Sequence, residues 1–269
     1  MPEAAGGPPI LEARGVSRSY PVRRRAGRRA TMIAVDDVSL RLRHSETLGL
    51  VGESGSGKST LARLLMDLER PDAGSVLFEG EEVEGLAGRR RSAYRRAVQI
   101  VFQDPYGSLN PRMTVGAMLR EVLAFHRLAA GRETDRVTEL LERVGLSRGD
   151  ARRHPHEFSG GQRQRVGIAR ALAVEPRALV ADEPVSALDV SVQAQILDLL
   201  GELERELGLT MLFISHDLAV VRQVCDRVAV MRRGRIVERG PAEEVFSSPR
   251  EAYTRALIAA VPRLPRPSG

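Results

Sequence analysis

Three short stretches hold the residue types from which phosphate chemistry could be built. The first is GLVGESGSGKSTLARLL at residues 49–65, which contains Gly52-x-x-x-x-Gly57-Lys58-Ser59. Glycines at this spacing let backbone N–H groups close around phosphate oxygens, and the helix that follows adds positive potential at its N-terminus. Lys58 is the sole lysine, and the other forty basic residues of this kind are arginine. A chain so biased keeps lysine where a compact ammonium must fit and a planar guanidinium would not. Lys58 is expected to reach the outer phosphates and Ser59 to hold Mg²⁺. The nucleotide site is expected to run over Gly52, Glu53, Ser54, Gly55, Ser56, Gly57, Lys58, Ser59 and Thr60. The bland alternative is a glycine-rich turn with a chance lysine, and the flanking strand and helix argue against it.

The second stretch is ALVADEP at 178–184. Four apolar residues read as a buried strand, with Asp182 and Glu183 emerging at its carboxyl end. Ligands of parallel sheets bind at that edge. Asp182 is placed to hold Mg²⁺ through water, and Glu183 to polarise an attacking water as general base. Two adjacent acids with separate tasks imply hydrolysis of a nucleotide rather than its storage. Gln103 follows the apolar run VQIVF and His216 follows TMLFIS. Either one alone would be an ordinary solvated strand end. Together with Asp182 they form a set of polar tips around one phosphate position.

The third stretch is HEFSGGQRQRVGIARAL at 156–172, a second glycine turn that opens a helix but carries no lysine. Ser159 and Gln162 have the spacing of a capping box. That accounts for the serine and the glutamine but not for Gly160 and Gly161. Glycine costs roughly 1 kcal/mol relative to alanine in a helix interior, and somewhat less at its end. Bare backbone here implies that something approaches closely, and an anion suits a helix N-terminus.

Around these stretches the chain reads as alternating strands and helices. Strands are expected at ILEARGVSRSY, VDDVSLRLR, TLGLVG, after RPDAGSV, and at 98–103, 178–182, 210–215, 227–231 and 235–239. Helices are expected after the first glycine loop, over Thr114–Arg127, Asp135–Val144 and Gly160–Ala173, and between the strands from 178 to 227. The stripe Ile196, Leu199, Leu200, Leu203 and Leu207 is most simply core packing. The alternation predicts an α/β fold, a parallel sheet with helices on its faces, with a helical insertion at about 104–172. Residues 1–9 read as a disordered tail, 10–247 as one nucleotide-binding unit and 248–269 as a C-terminal extension. There is no internal repeat.

These motifs, in this order and spacing, resemble an ABC-type ATPase. GESGSGKST, Gln103, FSGGQ, VADEP, SALD at 186–189 and His216 carry the resemblance. It implies a P-loop NTPase core with an N-terminal antiparallel β portion and an inserted helical subdomain. It implies ATP and Mg²⁺ as cofactors, with Gln103 joining Ser59 and Asp182 at the metal. Two such domains would pair head to tail, with Ser159, Gly160, Gly161 and Gln162 of one closing over the γ-phosphate held by the other. Tyr20, in SYPV, would stack on adenine, and Ser186–Asp189 would run between the two sites. Gln103 would couple nucleotide to a membrane partner, and His216 would contact the γ-phosphate.

VFQDPYGSLNPRMTV, VADEPVSALDVSVQAQILDLL and FISHDLAVV narrow the resemblance to the ATP-binding subunits of dipeptide and oligopeptide importers. It spans about residues 10–262. Expected partners are a related second ATPase subunit, two transmembrane permease subunits and, indirectly, an extracytoplasmic solute-binding protein. The expected location is the cytoplasmic face of the cell membrane, with docking through the insertion near 104–130. Two departures bear on the solute. Glu251 and Ala252 stand before Tyr253-Thr254 where the subfamily has His-Pro, and the cysteine cluster of some members is missing. Nickel and glutathione systems share this ATPase type.

Composition limits the other classes. No run approaches 18 apolar residues, so no spanning helix is expected, and the start lacks the pattern of a secretion signal. Cys225 is the single cysteine, which excludes an internal disulfide. The net charge of +6 raises the question of nucleic acid. The arginine clusters 23–29 and 89–96 have no interleaved aromatics, and read as solvated surface rather than a base-stacking face. No specific nucleic-acid partner is expected. Non-transport ATPases of this type usually carry long coiled coils or two fused units, and only about a hundred residues separate Lys58 from Ser159. A GTPase would need Asn-Lys-x-Asp, which a single lysine at 58 rules out. A small-molecule kinase leaves SGGQ unexplained.

Overall fold

The computed structural model describes residues 8–23 and 29–260. Most of the expected tail, Arg24 to Arg28 of the first arginine cluster, and residues 261–269 lie outside them. The strands are β1 (Leu11–Arg23), β2 (Arg29–Leu42), β3 (Thr47–Val51), β4 (Ala73–Phe78), β5 (Glu81–Glu82), β6 (Val98–Val101), β7 (Ala178–Asp182), β8 (Thr210–Ser215), β9 (Arg227–Arg232) and β10 (Arg235–Pro241). The helices are α1 (Lys58–Leu65), α2 (Gly88–Ala97), α3 (Pro105–Ser108), α4 (Val115–Phe125), α5 (Glu133–Arg143), α6 (Gly160–Leu172), α7 (Val190–Leu207), α8 (Leu218–Val224), α9 (Ala242–Ser247) and α10 (Ala252–Ala259).

Two sheets result. An antiparallel one has the order β2-β1-β4-β5, and a larger one has the order β10-β9-β3-β8-β7-β6. In the larger sheet β9, β3, β8, β7 and β6 run parallel, and only β10 is antiparallel. This is the P-loop α/β architecture with an antiparallel N-terminal portion. Successive side chains of a strand point to opposite faces, and the central strands are apolar on both. Met211 and Phe213 of β8 enter one core with α4 to α7, while Leu212 and Ile214 enter another with α1, α2 and the antiparallel sheet. Leu179 and Ala181 of β7 divide from Ala178 and Val180 in the same way. A sheet buried on both faces is what continuous apolar runs encode.

Two expectations need correction. Strand β6 stops at Val101, which pairs with Ala181, so Gln103 does not end the strand but sits two residues beyond it. Its neighbour β7 is already handing its last residue, Asp182, to β8. Leu207 does not join the buried stripe of α7. It is 39% exposed, because the chain turns away at the left-handed Gly208 cap and the last turn projects past the covered face. The rest of the stripe is buried. Leu200→Ala should therefore lower stability by about 2–5 kcal/mol, read as a reduced denaturation midpoint at unchanged m-value.

The second arginine cluster forms α2. Arg91 binds Asp67 with both arms, Arg95 reaches the same carboxylate, Arg90 pairs with Glu81, and Arg96 pairs with Glu175. Much of its charge is thus answered within the chain. Among the described residues no helix is long and apolar enough to cross a membrane.

Candidate active site

Strand β3 delivers the chain to Gly52, and α1 begins at Lys58 with the left-handed Gly57 (φ 110°) as its N-cap. A Cβ at Gly57 would lie 2.2 Å from the Ala34 carbonyl oxygen, so only glycine lets the loop turn there. The loop encloses Lys58, which is 5% exposed. Its Nζ donates to the carbonyl oxygens of Gly52 (2.8 Å) and Glu53 (3.0 Å). Burial pushes the Lys58 pKa down, and the nearby carboxylates of Glu183 and Asp182 oppose that shift.

A cavity of about 440 Å³ opens over this loop. Its walls include Ser54, Gly55, Gly57, Lys58, Ser59 and Thr60 from the loop, with Gln103, Glu183 and His216 opposite. Ser59 Oγ lies 3.4 Å from Asp182 Oδ1. Burial raises the Asp182 pKa and Glu183 adds to the rise, while the Ser59 hydrogen bond and the charges of Lys58 and Arg63 oppose it.

Glu183 follows β7 in a left-handed conformation (φ 48°), its N–H donating to the Ile214 carbonyl at 2.9 Å. A non-glycine residue held there costs on the order of 1–3 kcal/mol, and such strain concentrates at functional sites. The turn carries the Glu183 carboxylate between two polar tips. Its Oε2 accepts from Gln103 Nε2 at 3.2 Å and lies 3.2 Å from His216 Nδ1. Nine expected residues, Ser54, Gly55, Gly57, Lys58, Ser59, Thr60, Gln103, Glu183 and His216, therefore line one cavity, and Asp182 adjoins it through Ser59.

The remaining expected residues lie elsewhere. Tyr20 does not line the cavity. Its hydroxyl donates to Glu69 at 2.5 Å and Arg18 lies over its ring at 5.1 Å. It pairs across the sheet with Met32, which does line the cavity. Ser56 is buried beneath the loop rather than facing the cavity. The Ser159–Gln162 segment is also absent from the cavity wall. Ser159 and Gln162 form both hydrogen bonds of the capping box, at 3.0 and 3.3 Å.

The two glycines of this segment differ. A Cβ at Gly161 would lie 2.3 Å from Val192 Cγ1 of α7, so close approach within this chain already requires that glycine. Gly160 is exposed, and a Cβ there would meet only the end of the Leu188 side chain, at 3.3 Å. The expectation that both glycines are kept bare for an incoming anion is corrected for Gly161. The Val192 contact could not be read from sequence, because nothing local links residue 161 to 192. Asp189 caps α7, its carboxylate accepting from the Val192 N–H at 3.0 Å.

The ABC transporter family profile matches residues 35–186, more than half of the chain. The chain belongs to the ABC transporter ATP-binding family. This ABC ATPase is 53% identical over 242 residues to the oligopeptide transport ATP-binding protein OppF of Bacillus subtilis, covering 89% of this chain and 79% of that one. It is 52% identical over 259 residues to the glutathione import ATP-binding protein GsiA of Salmonella paratyphi A. That match covers 95% of this chain but 42% of the longer relative. Among solved structures it is similar to cbiO1 of Clostridium perfringens, part of the ABC transporter complex cbiONQ, with TM-score 0.77 and 29% identity over 90% of this chain and 92% of that one. It is also similar to the ATP-binding cassette MJ0796 in a dimeric post-hydrolysis state with ADP and Pi, with TM-score 0.75 and 28% identity over 87% and 99% of the two chains.

Proposed function

We propose that this ATPase powers a binding-protein-dependent importer of dipeptides and oligopeptides, working as one half of a head-to-tail pair of ATPase subunits on two membrane permeases. The observation that carries the pairing is the incompleteness of the site within one chain. The cavity holds the loop, base and polar tips, yet Ser159–Gln162 contributes nothing to its wall. A second subunit would supply that segment. Val190, 82% exposed beside the α7 cap, suits an apolar contact with such a partner.

Within each composite site the roles follow from chemistry. The loop N–H groups and Lys58 bind the phosphates. Glu183 takes the proton from the attacking water, whose position Gln103 and His216 help to fix. Tyr20 stacks on adenine beside Met32. Ser59, Asp182 and the side-chain carbonyl of Gln103 would offer an all-oxygen donor set with one carboxylate. This suits Mg²⁺, which completes its shell with water and substrate phosphates. When bound, Mg²⁺ would neutralise charge on those phosphates.

The permeases would dock on the insertion that follows Gln103, where Phe125 is 80% exposed, and Phe102, just before Gln103, is 39% exposed. That would hold the ATPase peripherally on the cytoplasmic face of the membrane, with the solute-binding protein acting from the far side. The resemblance to OppF favours peptides, and the resemblance to GsiA supports glutathione as the second reading. The in-chain pairing of the α2 arginines argues against a specific nucleic-acid partner. Uptake measurements separate these readings. Deleting the chain should abolish accumulation of labelled di- to pentapeptides and leave labelled glutathione uptake intact. Loss of glutathione uptake alone would move the assignment to the second reading.

A further inference from the structure

The chain ends its described part with α10, in a segment to which the motifs assign no task. Glu238 of β10 holds the start of this helix, its carboxylate accepting from the N–H groups of Arg250 (2.7 Å) and Glu251 (3.2 Å). One turn on, half-buried Tyr253 packs against the main core, and Arg232 lies over its ring at 4.6 Å. Its hydroxyl oxygen accepts a hydrogen bond from the Glu53 N–H, 3.3 Å away, in the phosphate loop.

The peptide unit involved is the one that joins Gly52 to Glu53. In a trans peptide the C=O and N–H point in opposite directions. Here the Gly52 carbonyl faces inward and accepts from Lys58 Nζ, while the Glu53 N–H faces outward to Tyr253. The orientation of this one peptide therefore sets where the buried ammonium is anchored. An ammonium has three donors. Two go to the Gly52 and Glu53 carbonyls, which leaves one for a phosphate oxygen. If the peptide rotated, the inner carbonyl would leave Lys58 and the ammonium would lose its aim.

We infer that Tyr253 is a positioning residue of the ATP site, by which the C-terminal helix holds the Gly52–Glu53 peptide in the orientation that binds phosphate. It does not line the cavity over the loop, and it acts through the loop and Lys58. The role rests on the phosphate loop being this chain's ATP site. A loop that spends less time in its competent shape binds with an affinity reduced by that fraction.

The test uses the full chain and its Tyr253→Phe variant, which keeps the ring and removes the hydroxyl. ATP binding is measured by calorimetry, turnover by phosphate release, and exchange of the Glu53 amide by mass spectrometry without nucleotide. One neutral hydrogen bond corresponds to roughly a 2- to 10-fold effect. The Kd and KM for ATP should rise by that factor, with kcat and melting temperature unchanged and faster exchange at Glu53. Equal ATP affinity and equal exchange in the two proteins would overturn the proposal. So would a lowered melting temperature with unchanged Kd, which would make Tyr253 a packing residue only. If the wild-type chain itself bound no ATP, the assignment of the site would fail first, and this role with it.

Discussion

Replacing Glu183 by glutamine should leave ATP binding intact and lower the rate of hydrolysis by about 10²- to 10⁴-fold, the usual range for loss of a general base. The amide keeps the size of the side chain and its reach toward Gln103 and His216, but cannot accept a proton from water. The left-handed backbone at Glu183 stays as it was, since glutamine meets the same restrictions there. Phosphate release under saturating ATP reads the loss, and gel filtration with ATP should show the variant accumulating as an ATP-bound dimer. Turnover near the wild-type rate would remove Glu183 from the role of base.

A second large effect is expected at Gly160. Gly160→Asp adds a negative charge at the first turn of α6, a position that favours acids within the free chain. Its Cβ would press only on the movable end of Leu188. The chain should therefore fold normally. In a closed pair of subunits the same carboxylate would face a γ-phosphate, and hydrolysis should fall by at least 10²-fold, comparable to loss of a donor to a transition state. Gly161→Asp is the poorer probe. Its side chain would collide with Val192, so a lost activity could come from displaced α6 and α7 rather than from the phosphate.

Much of this was legible in the residues themselves. Burial of the central strands on both faces follows from their continuous apolar runs, and polar residues just past such runs fall at one sheet edge whatever the strand order. The Ser159–Gln162 box is a local pattern and formed as its spacing requires. Strand order, the early end of β6 and the exposure of Leu207 depend on neighbours far away in sequence. The same is true of Val192 against Gly161. Tyr253 is the clearest case: residues 53 and 253 are two hundred apart, and only the packing of α10 against the core joins them. A tyrosine in a C-terminal extension carries no local sign of that task.

Site-resolved nucleotide trapping tests the central claim, that Ser159–Gln162 of one subunit completes the site of the other. The assembly contains two distinguishable ATPase chains, with Gly160→Asp introduced only in this one. Photolabelling with an azido-ATP analogue then reports binding on each chain, and trapped ADP reports hydrolysis on each. The account predicts that this chain's own phosphate loop, with Lys58 intact, still labels as in the wild type, while hydrolysis is lost first at the partner's loop. Loss of labelling at this chain's own loop, with the partner's site unaffected, would mean that the segment acts within its own chain, and would contradict the account.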